Sequence, residues 1–336
     1  MISDRQCFIT NTSFSYRKEE KLKRLNSIHP IHSKNSHAVI SPYAGLETPP
    51  APSPHPHYLR DINAVFTWSL PLDENGDISP NHPKSDTLLH ITSLGALLEE
   101  DTSDTLFSEY YKAYAKNFPC ENERDTQNEI RRLLEGQVGD WDISIIRHGE
   151  KIIAGYHTKL INISEYGVFS VAEYLWSDKA ARGTGLGNLL YERTIRARRE
   201  QGSLGHFGEI RDVEMLPVEE MINDKRAGTT ADKRIGFWKK QNRLVLDAPW
   251  LQPPLHATGE ELDYLMLTLS PLDDTCPKEF SRTAYLELFH RYYSKERNPK
   301  TYANLENLTS DIETVPLIPI GERRSFIRDI RDDSLH

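Results

Sequence analysis

The chain has 336 residues, with 41 Lys plus Arg against 50 Asp plus Glu, a formal charge of −9. That length holds one large domain or two small ones at about 150 residues each, and the acidic balance argues against a duplex-DNA or anionic-membrane binder. Three separated cysteines (Cys7, Cys120, Cys276) without a CxxC support neither a disulfide framework nor a zinc ribbon. No apolar run is long enough to span a bilayer, and the first residues lack the apolar stretch of a secretory leader. The expectation is a soluble, cytoplasmic protein with no metal, nucleic-acid or membrane partner.

Composition shifts near residue 90. Ten of the twenty prolines and seven of the thirteen histidines fall before residue 91, and Thr48 to Tyr58 (TPPAPSPHPHY) reads as extended, polyproline-like chain. His55 and His57 within it make a poor ligand set without nearby Cys or carboxylates. Ala64 to Leu70 (AVFTWSL) forms one strand, ended by the turn-like DENGD at 73–77.

From there the pattern is denser. Leu88 to Leu98 reads as a strand. Thr102 to Asn117 reads as a helix with Phe107, Tyr110, Tyr111 and Tyr114 on one face, and a second helix spans about Glu121 to Leu134. Strands follow at Asp142 to Ile146, Lys151 to Ile163 and Val168 to Trp176, then a glycine-rich turn and a helix to about Glu200. His206 to Val213 is a strand, Asp232 to Gln241 a helix, and Leu244 to Leu246 and Leu262 to Leu269 are closing strands. An amphipathic helix at 278–295 ends the pattern. The expected division is an N-terminal extension over 1–86, a core domain over 87–270 and a helical tail over 271–336.

The turn from Glu173 to Arg199 carries the chemistry. It leaves an apolar strand, passes through Arg182-Gly183-Thr184-Gly185-Leu186-Gly187-Asn188 and enters a helix directly. Successive backbone N–H groups at a helix N-terminus, with glycines that allow close approach, make a seat for a diphosphate. A P-loop requires GK[ST] after the glycines, and here Asn188 and Leu189 follow. A dinucleotide-binding fingerprint requires GxGxxG with an acidic residue at a later strand end, and neither is present. A glycine-rich corner with no ligand is the remaining structural reading.

Arg182 to Gly187 resembles the Q/R-x-x-G-x-G/A signature of the GNAT superfamily of acetyl-coenzyme-A-dependent N-acetyltransferases. The strand ending at Leu175-Trp176-Ser177 is similar to that family's fourth strand. Asn117-Phe118-Pro119 with Glu123-Arg124 is similar to its first two helices, and Arg234 to Trp238 to its last conserved helix. Leu246 to Leu255 resembles a stretch of a bacterial branch of unsettled function. The resemblance covers about 87–270. It implies an α/β (α+β) fold with a mixed, mostly antiparallel central sheet flanked by helices and splayed between the family's strands 4 and 5.

The resemblance also implies roles. Acetyl-CoA would be the co-substrate, with its diphosphate on the amides of Gly183, Thr184, Gly185, Leu186, Gly187 and Asn188, and with Arg182 capping the phosphates. Backbone groups of Leu175 and Ser177 would pair with the pantetheine arm. Trp176 would flank that arm or belong to the core. The arginines at 193, 196, 198 and 199 read as solvated helix surface. A carboxylate would take the acceptor amine's proton: Glu173 first, Glu209 and Asp212 after it. Where the family carries a general-acid Tyr this chain has Trp238, and Asn242-Arg243 replaces a terminal Gly-Phe. Tyr191 or solvent would then protonate the thiolate. The implied activity is acetyl transfer to a small-molecule or protein amine by direct attack in a ternary complex. The alternative is a GNAT-shaped, non-catalytic coenzyme- or partner-binding module.

Overall fold

The computed structural model describes residues 62–100, 104–119, 124–135, 140–212, 221–222, 230–254, 265–294 and 297–322. Contacts divide the chain between Thr48 and Pro49, and every described residue lies in the second unit. The Pro/His-rich stretch with His55 and His57 therefore falls outside the described residues.

The described chain builds one mixed sheet. Its strands are β1 (Ala64–Pro71), β2 (Lys84–Ser93), β3 (Trp141–His148), β4 (Lys151–Ile163), β5 (Gly167–Ser177), β6 (Gly205–Arg211), β7 (Leu244–Leu246), β8 (Leu265–Pro271), β9 (Glu279–Ser281) and β10 (Thr314–Pro319). They lie in the order β1-β2-β3-β4-β5-β6-β8-β7-β10-β9. Every pairing is antiparallel except β5 with β6. The parallel step requires a crossover, and the glycine-rich turn and its helix supply it.

The helices are α1 (Leu94–Glu100), α2 (Asp104–Asn117), α3 (Gln127–Leu134), α4 (Leu186–Glu200), α5 (Ala231–Lys240), α6 (Arg282–Tyr293) and α7 (Pro299–Leu308). Phe107, Tyr110 and Tyr114 are the buried residues of α2, as its aromatic spacing predicts. They pack with Trp141, Ile143 and Trp176 on one face of the sheet. Further along that face, Phe169, Val171 and Phe207 meet Tyr285, Phe289 and Tyr292 of α6. Leu186, Leu190, Tyr191 and Ala197 of α4 cover the opposite face with Tyr156 and Ala172.

Several elements differ from the sequence reading, among them the expected 278–295 helix, whose first residues form β9. Leu94 to Leu98 is helical rather than strand, because the Ser93 hydroxyl accepts the Ala96 N–H at 2.9 Å and starts α1. The second helix begins at Gln127, where Thr126 and Glu129 form a reciprocal capping box. The sheet also extends beyond both expected domain limits. All eight residues of β1 pair with β2, and β10, from the supposed helical tail, pairs with both β7 and β9. Backbone hydrogen bonding, invisible to composition, joins these segments to the core.

Candidate functional site

The site begins where the sheet comes apart. β5 and β6 pair only over Ser170–Ala172 and His206–Gly208. Beyond that rung Glu173–Ser177 and Glu209–Arg211 share no pairing, while β6 continues against β8 through Arg211. A bulge in β5 opposite His157 bends the departing half, since Tyr156 pairs with Leu175 but Thr158 with Ala172. The Asp178 N–H reaches Ile153 O at 2.7 Å. Strand alternation then turns the backbone groups of Leu175 and Ser177 toward the gap.

The glycine-rich turn stands at the head of this gap. Asp178 accepts the Ala180 N–H at 2.9 Å and fixes a single 3₁₀ turn over Lys179–Ala181. Gly183 and Gly185 then take φ of 78° and 90°, the left-handed region that only glycine enters cheaply. Helices α3, α5 and α6 have Thr126, Thr230 and Ser281 as side-chain caps, whereas Gly185 gives α4 none. The amides of Arg182 and Thr184 make long bonds of 3.4 Å to Lys179 O and Ala181 O. Those of Gly183, Gly185, Leu186, Gly187 and Asn188 have no acceptor among the described residues. Open donors at a positive helix end form an anion seat.

Neighbours hold the turn in shape. Trp68 of β1 donates its indole N–H to Thr184 O at 3.2 Å, and its ring lies 3.2 Å from where a Gly185 Cβ would stand. Asn188 donates to Glu192 Oε1 at 2.6 Å and accepts from Gln241, just past α5. Arg182 reaches Ser177 O at 3.4 Å and Asn117 Oδ1 at 3.3 Å, tying the turn to β5 and α2. The Leu186 side chain is core, so only its backbone is available.

Carboxylates gather on the other face, beside the gap. Glu209 is the first residue of β6 after the last rung. Its Oε1 accepts from the Trp250 indole N–H and the Tyr293 hydroxyl, and its Oε2 from Gln252 at 3.3 Å. Burial pushes its carboxyl up to about 7, against the pull of those two Oε1 donors. Glu173 is different: Lys159 holds its Oε1 at 3.0 Å, with both side chains largely covered. Asp125, just before α3, is also pushed up to about 7, first by burial and then by the Glu173 charge. A carboxylate that titrates near 7 suits proton removal at neutral pH better than one committed to a lysine.

Several sequence expectations need correction. Trp176 is 5 % exposed and packs in the core with Tyr110, its ring lying where a Gly155 side chain would be. Its backbone also belongs to the β4 side, so it does not flank the gap. The Tyr191 hydroxyl pairs with Ser270 Oγ at 2.7 Å. Ser270 lies opposite His206, two rungs inside the paired region, which removes that hydroxyl from the gap. Glu173 is held by a cross-strand lysine that its own segment did not reveal. Arg198 is not solvated surface; it is fully buried and bonded to Thr158 and Gln201. Sequence reasoning gave Trp68, Trp250, Tyr293, Gln252 and Asp125 no place at the site, since each meets it from a distant segment.

No family model matches the sequence, and no curated protein matches it. Among solved structures, similarity is found to a GNAT-family protein of Bacteroides thetaiotaomicron (TM-score 0.41, 20 % identity, 57 % of this chain and 93 % of that one). The ribosomal-protein-S18-alanine N-acetyltransferase of Escherichia coli also matches, at TM-score 0.36, 13 % identity and coverage of 55 % and 94 %. A third is an aminoglycoside acetyltransferase from an uncultured soil sample (TM-score 0.32, 15 % identity, 45 % and 86 %). Likeness at that distance fixes neither substrate nor activity. The fold, with its one parallel step, its bulge and its split, is GNAT-like on its own strand order.

Proposed function

We propose that this chain is an acetyl-CoA-dependent N-acetyltransferase. One observation carries the reading: open backbone donors at Gly183 and at Gly185 to Asn188 stand at the head of a sheet split whose free edge is Leu175 to Ser177. The donors fit a diphosphate, and the extended edge fits an amide-bearing arm that adds to β5 as a strand would. Acetyl-CoA supplies a thioester carbonyl activated toward attack.

The protein's own groups do the rest. Gly183 to Asn188 bind the diphosphate, Arg182 adds charge beside it, and Leu175 and Ser177 orient the arm. Glu209, half-buried beside the split, accepts the proton of the incoming ammonium. Amines of pKa near 10 are protonated at pH 7, so this step precedes or accompanies attack. Asp125 and Glu209, where ionised, lie near the Glu173–Lys159 pair and favour a cationic acceptor.

The test is free-thiol release from acetyl-CoA across a panel of polyamines, aminoglycosides, lysine-bearing and N-terminal peptides. Turnover with any cationic amine supports the proposal. Calorimetric binding of the coenzyme with no thiol release from any acceptor favours the non-catalytic binding module instead.

A further inference from the structure

Arg243 is 2 % exposed and lies just past α5. Only one arm of its guanidinium is bonded among the described residues, Nη1 to Thr268 Oγ1 at 2.7 Å. Its Nε and Nη2 are buried without an acceptor, and no carboxylate of the described residues pairs with it. Arg198, equally deep, makes the opposite comparison: its Nε and both Nη atoms all find oxygen. A desolvated cation without a counter-ion is costly, and the faces of Trp238 at 4.5 Å and Tyr191 at 5.6 Å offset only part of it.

Its position gives the missing partner a place. Nη1 sits 2.7 Å from where a Gly208 Cβ would stand, and the Ala172 methyl is 3.2 Å from the same point. Ala172 and Gly208 form the last rung before β5 and β6 part. The guanidinium therefore lies at the apex of the split, on the α4 face. A coenzyme seated by its diphosphate at α4 and its arm along Leu175–Ser177 would direct its sulfur toward that apex.

We infer that Arg243 is the counter-ion of the departing coenzyme A thiolate, replacing the general-acid hydroxyl that Trp238 does not provide. This inference rests on the acetyltransferase reading. In the step, the amine nitrogen forms a bond to the acetyl carbonyl carbon and the carbon–sulfur bond breaks. Its electron pair leaves on sulfur; of the two protons that the ammonium nitrogen loses on becoming an amide, Glu209 takes the first before attack and relays it to solvent, and takes the second as the adduct collapses. The thiolate is held as an ion pair and needs no acid. An indole N–H is a donor without an acidic proton to give.

The other groups around Arg243 supply no competing charge. From β6 His206 is kept neutral by burial, from β4 and α4 the Tyr156 and Tyr191 hydroxyls bond to His206 and Ser270, and Arg198 is a second cation, so none of them is a counter-ion. Glu209 and Tyr292 lie on the opposite face.

The experiment compares coenzyme A with desulfo-coenzyme A by calorimetry across pH, with thiolate ultraviolet absorbance of the bound coenzyme recorded in parallel. In the wild type, the bound thiol ionises at least one unit below the free thiol. Coenzyme A then gains about tenfold over the desulfo analogue per pH unit in that window. Arg243→Lys keeps part of this gain, and Arg243→Met removes it while leaving desulfo affinity within about threefold. A wild-type thiol with unshifted ionisation overturns the inference even if both variants fail to fold. Binding of neither nucleotide contradicts the acetyltransferase reading as well, whereas binding of both with a pH-independent ratio contradicts only the role of Arg243.

Discussion

Glu209 and Glu173 show how much one neighbour decides. Both are strand glutamates beside the split and both are legible as candidates from sequence. What separates them is Lys159 on β4 for one, and Trp250, Gln252 and Tyr293 for the other, none readable from strand periodicity. Glu209→Gln is expected to lower kcat by about 10²–10³ at pH 7 with little change in the KM for acetyl-CoA. Glu173→Gln is expected to cost far less. The rising limb of kcat/KM with pH, centred near 7 because only the ionised carboxylate accepts a proton, should vanish in Glu209→Gln. The same carboxyl bears on stability. Its folded value is raised, so the native state keeps a proton that the unfolded chain releases above about 4.5. Wild-type stability therefore declines between about pH 4.5 and 7, and Glu209→Gln, measured by thermal melts across that range, is spared that part of the decline.

At the level of elements, the glycine turn was legible because its requirement is local: two left-handed residues and a helix that starts without a cap. Its surroundings were not. β1 comes from a segment that composition sets apart, yet its Trp68 braces the Thr184 carbonyl and packs over Gly185. Trp68→Ala is expected to weaken coenzyme binding about tenfold in a titration, from loss of one hydrogen bond and of the packing that fixes the turn. The Leu88–Leu98 run shows the opposite failure, where apolar continuity masks a boundary. A single serine hydroxyl turns strand into helix there. Ser93→Ala is expected to cost about 1 kcal/mol in a denaturant melt.

Across the whole molecule, the C-terminal segment completes the site rather than trailing from it. Tyr292 donates to Ala172 O at 2.7 Å, at the last rung of the split, and Tyr293 donates to Glu209. These contacts join residues more than eighty positions apart, so no motif could announce them, although the amphipathic spacing of the helix itself was plain. Tyr293→Phe removes a hydrogen bond to the charged form of Glu209. The kcat/KM limb should then move about one unit toward alkaline pH, the reverse of what loss of a mere packing contact would give. An unmoved limb would leave Tyr293 a structural role only.

The central claim is that the open amides at the start of α4 hold a diphosphate. Gly187 allows a clean probe, because its φ is not left-handed and nothing lies within 4 Å of the place a Cβ would take. Gly185 would add strain and a collision with Trp68. Calorimetric titration of acetyl-CoA into wild type and Gly187→Asp therefore reads the claim directly. The account requires one-to-one binding by the wild type and a loss of at least about a hundredfold in the variant, from repulsion by the new carboxylate, with an unchanged melting temperature. Equal affinity in the two proteins, or no binding by either, would contradict it.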